Sequence, residues 1–120
     1  MDRVYIISRY RAKTEHQVEF NKEVARHFCR AIIDEGNAPV APHLFYTQFL
    51  NDDYPDDREH GLNLGLEDLK NCQAFLLVMI DGIISDGMRN ELEEVARLGI
   101  PGRVVSMTKQ EVSAAMKVVR

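Results

Sequence analysis

Tryptophan is absent from this chain of 120 residues, cysteine occurs only twice, and charge of neither sign dominates. No apolar run reaches the roughly 18 residues that a membrane-spanning helix requires, so no membrane partner is expected. The opening segment MDRVYIISRYR carries charge on both sides of its short apolar stretch, which excludes a signal peptide. Cys29 and Cys72 are too few for a disulfide framework and belong to no CxxC or Cys/His cluster. That usage fits a reducing, cytoplasmic setting with both thiols in the core. With 15 basic and 19 acidic residues the formal charge is −4, a balance that would repel a phosphate backbone, so no nucleic-acid partner is expected. Disorder is excluded too, because 45% of the residues are hydrophobic and the 28% that are charged nearly cancel in sign.

What is present is one domain's worth of alternating apolar patterns, given a norm of roughly 150 residues per domain. There is no internal repeat, low-complexity tract or linker, so residues 1–120 are read as a single domain. Arg3 to Ser8 is a short β-branched run typical of a strand buried on both faces. Thr14 and Gln17 have capping-box spacing. After them Val18, Val24, Ala25, Phe28, Cys29, Ile32 and Ile33 recur at helical period until Gly36. Ala38 to Ala41, flanked by Pro39 and Pro42, suits a short strand near a sheet edge. His43 to Asp57 reads as a loop ending in turn residues, and its Phe45, Tyr46 and Phe49 are expected to pack over the sheet end.

Arg58 to Asn71 places Leu62, Leu66 and Leu69 at helical spacing, weakened by Gly61 and Gly65. Gln73 to Ile80 is the strongest buried strand. Ser85-Asp86-Gly87 opens a helix with Met88, Leu92, Val95 and Leu98 on its apolar face, stopped by Gly99 and Pro101. Arg103 to Met107 is a fourth strand, and Thr108 with Glu111 caps a last helix through Ala115 and Val119. Strand and helix alternate throughout. This implies an α/β, Rossmann-like three-layer sandwich with a parallel sheet of four or five strands, in which the Tyr5 and Phe75 to Ile80 strands are central neighbours.

Ligands of open parallel sheets bind at the carboxyl ends of the strands. The residues there are Ser8, Arg9, Tyr10 and Arg11, then Pro42 and His43, then Asp81, Gly82, Ser85, Asp86, Gly87 and Met88. Cations, hydroxyls and a helix start suit a polar, phosphorylated small molecule. Arginine presents a planar fork to phosphate, which gives Arg9 and Arg11 a use, and the N–H groups at the Ser85 to Gly87 helix start attract anions. Each residue also has a plainer use: Ser85 or Asp86 as an N-cap, His43 as a satisfied structural histidine, Glu91 as a solvated helix residue beside Glu93 and Glu94. The aspartates Asp52, Asp53, Asp56 and Asp57 lack the glycine and glutamate of a calcium loop and read as a solvated turn. No metal and no cofactor is expected.

The segments VYIISRYR, APHLFYTQFL and ISDGMRNELEEVARLGIP resemble the nucleoside 2-deoxyribosyltransferase-like superfamily, in particular a branch of small proteins common in bacteria and their phages. The likeness runs from residue 3 to residue 106, and the SDG…E…A…GIP stretch is its most specific part. It implies that Glu91, with Gly87 four residues before it, holds the position of the nucleophile that attacks an anomeric carbon. Tyr5 then holds the position of a tyrosine contacting that carboxylate, and Asp81 an acidic position at the end of the third strand. Either Asp81 or Asp86 would assist the departing base. The Ser85 to Asp86 loop corresponds to the segment that meets the sugar or a 5′-phosphate. One acidic residue of the transferases has no counterpart, because Gly61 to Gly65 stand in its place.

The expected ligand is a nucleoside, nucleotide or related ribosyl compound whose N-glycosidic bond is cleaved by hydrolysis or transfer. The alternative is a non-catalytic binder that sequesters a nucleotide-derived signal of the cyclic ADP-ribose type, as a phage protein opposing host defence would. The resemblance further implies a homo-oligomer, since pockets of the superfamily form at subunit contacts.

Overall fold

The protein, analysed as a computed structural model, is described over residues 1–117. Four strands, β1 (Arg3–Ile7), β2 (Ala38–Val40), β3 (Ala74–Ile80) and β4 (Gly102–Met107), form one sheet in the order β2-β1-β3-β4. Every pairing is parallel, as right-handed strand–helix–strand connections demand. In the central register Tyr5 lies between Val40 of β2 and Phe75 of β3. The two most apolar strands are thus neighbours, and the short, proline-bearing β2 is an edge strand.

The pleat sorts β1 into two cores. Val4 and Ile6 join Leu76 and Val78 of β3 against Val24, Phe28 and Ile32 of α1 (Glu15–Asp34). Val112 of α5 (Lys109–Met116) completes that side. Tyr5 and Ile7 face the other way, with Leu69 of α3 (Pro55–Lys70) and Met88 and Val95 of α4 (Asp86–Leu98). This alternation places the tyrosine on the same side of the sheet as Glu91.

The helix starts are chemical. Thr14 accepts a hydrogen bond from the Gln17 N–H, and Ser85 from the Met88 N–H. Thr108 and Glu111 make the full reciprocal box, whereas Gln17 does not return the bond at Thr14. Gly99, at φ 69°, closes α4 in the left-handed region. Of the residues assigned to the last helix, Val119 lies outside those described.

Three expectations are corrected. The segment after β2 is not a loop: Pro42 starts the short helix α2 (Pro42–Phe45), followed by a 3-10 turn (Tyr46–Gln48). Pro42 occupies the first helical position, where its missing N–H costs nothing. For the same reason α3 begins at Pro55, three residues before the expected Arg58, and half of the acidic turn is its first turn. Phe45 and Phe49 do not pack over the sheet end. They remain 55% and 69% exposed, in edge contact with each other.

Gly102 stands directly opposite Phe75 in the β3–β4 register, and a Cβ there would lie 2.3 Å from the Phe75 ring. No side chain fits without moving that ring. Gly102→Ala is therefore expected to destabilise the fold by about 1–3 kcal/mol, as overpacking does, measured by chemical denaturation. Unchanged stability would show that Phe75 has room to turn away.

Candidate functional site

The carboxyl ends of β1 and β3 open into a crevice walled by α2, the start of α3 and the start of α4. It comprises a chamber of about 360 Å³ reaching Tyr5, Gly65, Asn90 and Glu91. A second, of about 280 Å³, reaches Ser8, Arg11, Ser85 and Met88. Tyr10, His43, Asp52, Arg58, Leu62, Asp86 and Gly87 line both, so the two are halves of one site.

At its floor the Tyr5 hydroxyl donates a hydrogen bond to Glu91 Oε2. This pair joins the first strand to a helix 86 residues later in the chain. Glu91 is 8% exposed, and burial pushes its carboxyl up to about 7, with the Tyr5 hydrogen bond opposing the rise. Burial first, and the facing Glu91 carboxylate second, push the Tyr5 phenol upward as well, so it stays a donor. The second carboxylate oxygen, Oε1, is 3.9 Å from His43 Nε2, beyond hydrogen-bond reach.

His43 stacks on Tyr10 with ring centres 5.3 Å apart and planes 14° apart. Burial lowers its imidazole to about 4, outweighing Asp52, which raises it. The ring is therefore neutral near pH 7, and its contact with Glu91 is not an ion pair. About a quarter of the side chain, 26%, still faces the crevice.

Gly65 explains its own place inside α3. A Cβ there would lie 3.5 Å from the Tyr5 hydroxyl and 3.4 Å from Pro42, so the helix passes close against the Tyr5–Glu91 pair. The α4 start adds polarity: Ser85 spends its hydroxyl on capping, while the N–H groups of Asp86 and Gly87 begin the helix without intrahelical partners.

Of the residues expected at the site, Tyr5, Ser8, Arg11, His43, Ser85, Asp86, Gly87, Met88 and Glu91 line this crevice. Met88 does so as a core side chain, 1% exposed. Asp81 and Arg9 do not. They line a separate small cavity, about 60 Å³, on the α1–α5 side of the sheet. Asp81 takes a left-handed φ of 55° and its carboxylate accepts from the Lys109 N–H, capping α5. Arg9 donates to the Arg11 carbonyl. The structure thus does not bring Asp81 or Arg9 together with Glu91. Ser8 lines both cavities, and its Oγ is the buried side-chain oxygen that lacks a hydrogen-bond partner among the described residues.

Tyr10, noted at the end of the first strand, lines the crevice too, whereas Arg58, Asp52 and Asn90 are lining residues to which sequence reasoning gave no site role. The signal available for Arg58 was Pro55, which starts α3 early and puts Arg58 in its first turn, at the crevice mouth. Cys29 and Cys72 are free thiols pushed up to about 11 by burial and take no part. Among the described residues no cluster of His, Cys, Asp and Glu has the arrangement of a metal site, and no helix is long and apolar enough to cross a membrane.

The chain belongs to the family described as a domain of unknown function (DUF7768), whose model matches residues 2–105. Among solved structures it is similar to a 2-deoxyribosyltransferase from the psychrotolerant bacterium Bacillus psychrosaccharolyticus, with a TM-score of 0.68 and 20% identity. The match covers 87% of this chain and 72% of that one. The fold is thus a nucleoside 2-deoxyribosyltransferase-like fold. No curated protein matches the sequence.

Burial of Glu91 has a measurable consequence. Its carboxyl rises from 4.5 in the unfolded chain to about 7, so the folded state holds the proton more tightly. The resulting stability is complete below pH 4.5 and is lost as pH rises through 7, a cost of about 3 kcal/mol. His43 slopes oppositely: its folded value lies below its unfolded 6.5, so its contribution is present above 6.5 and is lost as pH falls toward 4. Glu91→Gln, which cannot ionise, should gain on the wild type by about 2 kcal/mol between pH 5 and pH 8. Denaturation at the two pH values checks this. An unchanged difference would mean that the carboxylate is solvated.

Proposed function

We propose that the crevice binds a nucleoside, nucleotide or related ribosyl compound and that Glu91 cleaves its N-glycosidic bond. The observation that carries this reading is the buried carboxylate itself: one oxygen is held by Tyr5, and the other makes no hydrogen bond among the described residues and borders the chamber. Burying a carboxylate is costly, and structural needs do not explain leaving half of it unsatisfied at the floor of a cavity. The likeness of fold to a 2-deoxyribosyltransferase supports the choice of a ribosyl substrate.

In this reading Glu91 Oε1 attacks the anomeric carbon as the bond to the base nitrogen breaks, and the bonding pair leaves with the base. Asp86, the carboxyl group on the α4 lip of both chambers, delivers a proton to that nitrogen directly or through water. The glycosyl ester on Glu91 is then resolved by water, giving hydrolysis, or by a second base, giving transfer. Tyr5 fixes Oε2 and keeps enough of the carboxyl ionised to act. His43, neutral and stacked on Tyr10, presents an aromatic wall to the base.

Incubation with a panel of nucleosides, nucleotides and cyclic nucleotide signals, followed by chromatography, tests this. Free base is expected from the wild type, and Glu91→Gln should lower turnover at least about 10³-fold while keeping most ligand affinity, because the lost interaction belongs to the transition state. Intact ligand released on heating, with no free base from any compound, would instead establish a non-catalytic binder.

The pH profile is a separate check. Turnover should rise with pH through a midpoint near 7, where Glu91 ionises. Tyr5→Phe removes the hydrogen bond that favours the carboxylate and should move the midpoint higher. A midpoint left in place would show that Tyr5 does not tune Glu91.

A further inference from the structure

At the mouth of the crevice Asp52 Oδ2 serves two arginines at once. Arg11 Nε lies 3.3 Å and Arg58 Nη1 3.1 Å from this one oxygen. The two guanidiniums come from different elements, one beyond β1 and the other in the first turn of α3, and both line the smaller chamber. Across that chamber stand the start of α4 and Ser8, whose buried Oγ has no partner among the described residues. We propose that Asp52 is a built-in competitor that occupies the clamp made by Arg11 and Arg58, and that a phosphate monoester on the ligand displaces it. The inference rests on the ribosyl reading of the crevice and names the charged group such a ligand would carry.

A single carboxylate oxygen under-uses two guanidiniums, each of which can grip a carboxylate or phosphate bidentately. A phosphate dianion brings three terminal oxygens and twice the charge, so it gains more from the pair than Asp52 does. Asp86, the other carboxylate on this wall, is solvent-exposed and weakly opposed to the exchange. Asp52 is free to leave. The loop around it is held by Asn51 N–H to Asp57 Oδ2 (2.9 Å), Asp53 N–H to Asn51 Oδ1 (3.0 Å) and Tyr54 N–H to the Asn51 carbonyl, none of which uses the Asp52 carboxylate. Neutral nucleosides have nothing to offer in exchange, so the latch stays closed on them. Asp52 is thereby a specificity residue that sets the charge a ligand must carry.

The probe is inorganic phosphate, titrated calorimetrically into the whole chain at low salt. Asp52→Asn should tighten binding about tenfold, and Arg58→Ala should weaken it about tenfold. Charge alone would also make Asp52→Asn favourable, so the double variant decides. If Asp52 competes for Arg58, most of the gain from Asp52→Asn vanishes in the Arg58→Ala background; a gain that persists there is through-space electrostatics and overturns the proposal. Should Arg58→Ala fail to fold, Arg58→Gln carries the same comparison. The two readings fail separately. Release of base from nucleosides with no phosphate binding overturns the clamp but leaves Glu91 its role, whereas phosphate binding with the expected coupling, and no base released from any substrate, supports the clamp and removes the glycosidic reading.

Discussion

The hydrogen bond from Tyr5 to Glu91 is the constraint around which this side of the molecule is arranged. It requires a strand residue on the α4 side of the sheet, which the pleat of β1 supplies, and a helix that begins where Ser85 caps it. α3 passes close by, so that a Cβ at position 65 would stand in van der Waals contact with the Tyr5 hydroxyl. A buried carboxylate is stable only with donors around it, and here a single phenol is provided. The protein thus tolerates an ionisable group whose charged form is costly, and the crevice above it remains open.

The crevice is electrically divided. Its floor favours a neutral carboxyl and a neutral imidazole, because burial raises Glu91 and lowers His43. Its mouth is ionic, with two arginines converging on one aspartate. These conditions suit different parts of one ligand. A weakly screened floor strengthens charge placed in it, whereas at the solvated mouth the arginines are balanced by Asp52 and Asp86. Tyr10 and His43, stacked between the two regions, are the partition.

The fold was legible because its signals are local and mutually consistent. Alternating apolar runs and capped helices dictate a parallel sheet, and the length and apolarity of β1 and β3 place them at its centre. Tyr5, Gly87 and Glu91 were singled out through the resemblance, and the structure brings them to one crevice. What sequence order does not carry is which side of the sheet a strand-end residue turns toward. Asp81 follows β3 directly, yet its left-handed backbone swings the carboxylate to the α5 start, while Ser85 and Asp86 return to the crevice. Arg58 and Asp52 were missed for a related reason: prolines at the first position of helices were read as loop residues, so the elements that carry or flank the mouth of the site were placed too late in the chain.

Gly65 also bears on the chemistry left to the chain. The transferases that the sequence resembles carry an acidic residue where Gly61 to Gly65 stand here, and a side chain at position 65 would start 3.5 Å from the Tyr5 hydroxyl. A carboxylate at that point would compete with Glu91 for the same phenolic proton and place a second negative charge beside the first, raising both carboxyl groups further. Without it, the Tyr5 hydroxyl donates to Glu91. The remaining acid, Asp86, is exposed at the α4 lip, farther toward the mouth. In the proposed reaction the base would therefore be protonated from the solvent side, and the floor would be left to meet the sugar.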